Sequence, residues 1–149
     1  QQDTASAVAV RGAVIKAYEG HTARALAEAP VAALKGISEH RAQALESGLA
    51  IHTIREMADL WPVRLARAVI ALVDAGAGDE AALCRGAAPD KQRSLAEVAD
   101  APVSSLDGLD TNRSAVLENV LNIRTVRDLA ENRFMRTADA IVILADLEN

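Results

Sequence analysis

The stretch LKGISEHRAQAL, residues 34–45, sets Gly36 at a bend and surrounds it with Lys35, Ser38, His40 and Arg41. Glycine lets a backbone come close to an oxyanion, and flanking cations offset the charge that arrives. Phosphate contact is therefore the chemistry to consider. The stretch LDGLDTNRSAVL, residues 106–117, has the same form, with Gly108, Asp110 and Arg113 in corresponding places. No other reactive set emerges. His21, His40 and His52 lack metal-ligand spacing, and Cys84 has no obvious base beside it and reads as a small core residue of its helix. The acids are scattered at ordinary surface spacing, no nucleophile sits in a recognisable turn, and no Gly-rich nucleotide loop is present. The chain is accordingly expected to be no enzyme, to use no cofactor and to hold no metal.

The elements that must carry these residues are helices. Half of the 149 residues are apolar, chiefly Ala, Leu and Val, and Tyr18, Trp61 and Phe134 are the only aromatics. That mixture favours helix over sheet, so an all-α fold with a buried core is expected. Four segments share one pattern: TARALAE at 22, TIREMAD at 53, SLAEVAD at 94 and TVRDLAE at 125. In the last three, a hydroxyl can accept from a first-turn amide while the acid three residues later reaches back to the cap. Thr22 lacks that acid, which predicts a weaker cap. Helices are expected near 5–18, 22–29, 31–35, 39–48, 53–60 and from Pro62 to Asp74, where Gly76 stops the last. A second series follows near 80–86, 94–100, 103–107, 111–121, 125–132 and 134–147. Trp61, beside Pro62 at a helix start, is expected to anchor the core, and becomes a candidate interface residue if exposed.

The two series reflect an internal repeat. A shift of 72 residues lays APVAALKGISEHRAQALESGLAIHTIREMADL on APVSSLDGLDTNRSAVLENVLNIRTVRDLAEN without a gap. About a third of positions from 27 to 75 are identical under this shift, more than chance supplies over such a length. Two tandem copies are expected, 1–76 and 77–149, each with a leading helix.

The phrase SLAEVADAPVSSLDGL, a helix, and NIRTVRDLAE resembles the tandem helix-hairpin-helix domains of DNA-repair, recombination and transcription proteins. In that family's hairpin two glycines let the backbone approach a phosphate, and the next helix's amides hold it. Gly36 and Gly108 match the first glycine. Ser38 and Asp110 replace the second, and both are strong N-cap residues that would occupy the amides themselves. Asp110 also adds a negative charge where an anion would sit.

Charge supports the same expectation. Residues 1–76 hold eight Lys/Arg and eight Asp/Glu, and 77–149 hold eight and thirteen, so the net charge of −5 lies in the second copy. Lys35, Arg41, Arg55, Arg64 and Arg67 would form a basic face on copy one, diluted by Glu39, Glu46, Glu56 and Asp59. Arg41/Arg113, Arg55/Arg127 and Arg64/Arg136 recur in register; each is expected to pair locally with a nearby acid or cover apolar surface with its stem, and the alternative makes them contacts to a common partner, with Arg55, Arg64, Arg67 and Trp61 as interface candidates. The expected function is a scaffold or adaptor that binds a protein partner or associates with itself. The alternative is sequence-independent binding of duplex DNA through Lys35, Gly36, Ser38, His40 and Arg41. No small-molecule substrate is evident. The apolar runs are too short to span a membrane, no signal peptide is visible, and the lone cysteine leans toward a reducing cytoplasm.

Overall fold

The computed structural model describes residues 11–78, 94–106 and 109–147. Among these residues the chain is helical, with no β-strand. The α-helices are α1 (Ala23–Ala27), α2 (Glu39–Leu49), α3 (Ile54–Ala58), α4 (Trp61–Leu72), α5 (Leu95–Asp100), α6 (Thr111–Leu121), α7 (Val126–Glu131) and α8 (Arg133–Leu147). Three-residue 3-10 turns precede α2 and α6, at Val31–Ala33 and Val103–Ser105. They replace the longer helices expected at 31–35 and 103–107, because Leu34 and Leu106 turn to extended backbone at once.

Helices of five or six residues are too short to persist alone and depend on caps and packing. The caps are those the spacing predicts. Thr53 with Glu56, Ser94 with Glu97 and Thr125 with Asp128 form complete capping boxes. The Thr22 hydroxyl accepts from the Ala25 amide at 3.1 Å, with no acid returning the bond. α2 and α6 each end on a left-handed residue, Ala50 at φ 58° and Asn122 at φ 59°. Gly76, at φ 100°, breaks the π-helical turn that follows α4.

Backbone bridges hold each short helix to the 3-10 turn before it. The Val31 amide donates to His52 O at 3.1 Å and the Ile54 amide to Ala29 O at 3.0 Å. Val103 to Arg124 O at 3.0 Å and Val126 to Ala101 O at 2.9 Å do the same for α7. A third bridge changes an expected element. Over the described part of 5–18 the chain is not an α-helix but two 3-10 turns, Arg11–Ala13 and Lys16–Tyr18. Ile15 donates to Ala33 O at 2.9 Å and Lys35 to Ala13 O at 2.9 Å, so these backbone groups serve an antiparallel bridge and leave the helical ladder. The expected helix at 80–86 and Cys84 lie outside the described residues.

The chain divides into two compact units, Gln1–Asp59 with Arg133–Asn149, and Leu60–Asn132. The boundary expected near residue 77 separates sequence copies but not these units. In the first unit α8 packs on α1 and α3, and in the second α4 packs on α5 and α7. The first unit thus closes with α8 and the second with α4, each brought from beyond the boundary expected near residue 77. α8 buries Phe134, Met135, Ala138, Ile141, Val142 and Ala145, while α1 and α3 bury Leu26, Ile54 and Met57 completely. Full burial of a side chain of that size contributes about 1.5–3 kcal/mol, enough to offset the poor intrinsic stability of one-turn helices.

Trp61 does not anchor the core. It is 52% exposed, at the first position of α4. Pro62, Val63, Ala66, Val69 and Ile70 are buried, and Trp61 lies on the opposite, wet face with Arg64, Ala68 and Ala71.

Candidate functional site

The first hairpin is formed by the Val31–Ala33 turn, the bend at Gly36, and α2. Its registration begins upstream, where the Lys35 amide is tied to Ala13 O. Ile37 then donates to Leu34 O at 3.2 Å, closing the bend, and Leu34 and Ile37 are buried beneath it. Ser38 takes extended backbone, and its hydroxyl accepts from the Arg41 amide at 3.2 Å, so one first-turn amide is satisfied inside the chain. The Arg41 guanidinium donates to Gly36 O at 3.1 Å and ties the bend to the helix it introduces. Arg41 thus holds a carbonyl of its own hairpin rather than an acid. His40 is exposed on the first turn of α2.

Gly36 serves two requirements. Its φ of 100° is one that side-chain-bearing residues rarely adopt, and a Cβ there would lie 3.0 Å from Phe134 Cε1 and Cζ and 3.1 Å from Arg133 Nη2. The close approach that glycine permits is taken by an aromatic ring of the same chain. Sequence reasoning placed neither Arg133 nor Phe134 at the hairpin, because 98 positions separate Phe134 from Gly36 and no local pattern links them. The sole phenylalanine followed a helix start, and that was its only signal.

Between this bend and the start of α8 lies an open cleft of about 370 Å³. Ala13, Leu34 and Phe134 give it apolar wall, and Lys35 and Arg133 give it charge. Among the described residues no Asp or Glu lines it. The Arg133 guanidinium lies 4.7 Å from the Phe134 ring centroid, a cation–π contact that orients the arginine without neutralising it.

The remaining candidates fall elsewhere. Arg55 on α3 donates to Glu28 at 2.7 Å and Asp146 at 3.2 Å, and these two hydrogen bonds raise its pKa above the ordinary arginine value. Arg127 on α7 lies 3.8 Å from both Asp100 and Asp74, and 3.4 Å from Glu131. Arg64 and Arg67 belong to α4 and hence to the second unit, Arg64 exposed and Arg67 half-buried. The basic face expected from Lys35, Arg41, Arg55, Arg64 and Arg67 is therefore not assembled on one unit. Arg41 and Arg55 spend their donors on structure. In the second hairpin Asp110 accepts from the Arg113 amide at 2.8 Å, as an N-cap should; Gly108 lies outside the described residues.

A second cleft in the first unit, about 270 Å³, is bordered by Glu28, Glu39, Glu46 and His52. His52 reaches Glu46 at 3.1 Å and Glu56 at 3.2 Å. The amides of His52 and Thr53 donate to the Glu56 carboxylate at 2.7 and 3.2 Å, and they hold its pKa below the usual glutamate value. Among the described residues no group of three or more His, Cys, Asp or Glu is placed to bind a metal ion, and no helix is long and apolar enough to cross a membrane. Comparison with protein-family models, curated proteins and solved structures finds no match to this chain.

Proposed function

We propose that this protein is a non-catalytic helical adaptor, built from two degenerate helix-hairpin-helix-like copies, that binds a protein partner or assembles with itself. One observation carries the reading: the surface that Gly36 opens is occupied by Phe134, and Ser38 accepts from the Arg41 amide. Groups that would meet a phosphate are engaged in holding the hairpin to α8 and to its own helix. The second hairpin has a carboxylate at the same cap, which repels a polyanion. The equal numbers of cations and anions in residues 1–76 also leave little of the counterion-releasing charge on which non-specific duplex binding depends.

Crosslinking of the full chain, read beside a salt-titrated duplex-DNA assay, tests the reading. Protein adducts or self-association without DNA binding is the expected result, and binding of DNA alone would refute it. The alternative, duplex binding through the first hairpin, is favoured by the exposure of Lys35, Gly36, Ser38, His40 and Arg41 along one bend. It requires steeply salt-dependent affinity that Lys35→Glu with Arg41→Glu abolishes.

A further inference from the structure

The Gly36 cleft has properties the hairpin comparison does not account for. Its two cations come from distant parts of the chain, Lys35 from the bend and Arg133 from the first position of α8. Lys35 has no ion pair among the described residues, and Arg133 is stacked on Phe134 instead of paired with an acid. Arg55 and Arg127 are paired with carboxylates, whereas the described lining of this cleft brings two cations together without an acid. The pair also has no counterpart under the 72-residue shift. Seventy-two positions away, Lys35 corresponds to Asp107 and Arg133 to Trp61 in the sequence.

We infer that this cleft binds the carboxylates of an acidic peptide, with Lys35 and Arg133 as the charge contacts and the Phe134 and Leu34 wall receiving a neighbouring aliphatic side chain. The inference rests on the adaptor reading and names the chemistry of its partner. A guanidinium already placed over a ring presents its donors to a carboxylate with little further loss of rotamer freedom. The Thr137 hydroxyl on the cleft wall adds a neutral donor. Concavity and apolar wall fit a side chain better than a nucleic-acid backbone, which needs a longer track of cations. Two charges in one cleft form no such track.

The test uses the isotope-labelled full chain and three probes: an amidated hexapeptide of alternating leucine and glutamate, its leucine–glutamine counterpart, and a short DNA duplex. The glutamate peptide is expected to shift the resonances of Gly36, the Arg133 Nε–H and Thr137, and the glutamine peptide to leave them unmoved. Lys35→Glu with Arg133→Glu should weaken the peptide about tenfold or more, while Lys35→Arg retains binding. Both sites are exposed, and unchanged spectra elsewhere verify folding. Equal binding of the glutamine peptide overturns the inference. Failure of the unaltered chain to bind the glutamate peptide, with protein crosslinks intact, overturns the cleft assignment and leaves the adaptor reading standing. Tighter binding of the duplex at these residues overturns both. If the double variant instead abolishes concentration-dependent self-association and no peptide binds, the occupant is a second copy and the peptide assignment fails.

Discussion

At the scale of single residues, the hairpin gives one glycine a neighbour that its local sequence does not show. Gly36 and Gly20 both have positive φ, 100° and 90°, but only Gly36 has atoms where a Cβ would go. Gly20→Ala should therefore cost about 1 kcal/mol of backbone strain, and Gly36→Ala about 2–3 kcal/mol, since the Phe134 ring must also move. Urea unfolding of the two variants measures the difference, and equal losses would mean that the ring yields freely. Glu56 sets a pH dependence of definite sign. Its folded pKa is lowered by two backbone amides, so its stabilising contribution is present above the unfolded carboxyl pKa and disappears as pH falls through the folded one. Between about pH 6 and about pH 3, wild type should lose more stability than Glu56→Gln, which keeps an acceptor but cannot titrate. Parallel pH profiles would show that the capping box contributes no linkage.

At the scale of elements, periodicity and cap chemistry made most helices legible. α2 and α6 begin after Ser38 and Asp110 as expected, and the three capping boxes form. The leading segment misled because its apolar spacing suits a helix, whereas bonds from Ile15 and Lys35 to distant backbone hold it otherwise. Arg55 illustrates the same limit. A local acid partner was expected, but Glu28 lies 27 residues away and Asp146 91. A double-mutant cycle on Arg55 and Asp146 should return a coupling of about 0.5 kcal/mol, modest because the pair is partly solvated. Zero coupling would remove Asp146 as a contact that ties α3 to α8.

At the scale of the whole molecule, the compact units and the sequence copies divide the chain differently. α8 closes the first unit, and α4, from copy one, packs on α5 and α7 in the second. A chain ending at residue 132 should consequently lose protection at Leu26, Ile54 and Met57, which α8 helps to bury, while Leu117, Val126 and Leu129 stay protected. Hydrogen exchange of that truncation distinguishes the two cases. Uniform loss across both sets would show that the units unfold together.

By itself the sequence determined the helical class, the 72-residue correspondence, the caps of the short helices and the polar cap at each hairpin. These are local properties, set by side-chain hydrogen bonding and hydrophobic spacing within one or two turns. Tertiary structure alone decided which long helix closes which unit, that Phe134 approaches Gly36, that Trp61 faces water, and that Arg133 joins Lys35. Those outcomes depend on contacts between residues tens of positions apart. Helices with similar apolar stripes leave such contacts undecided until shape and burial select one partner.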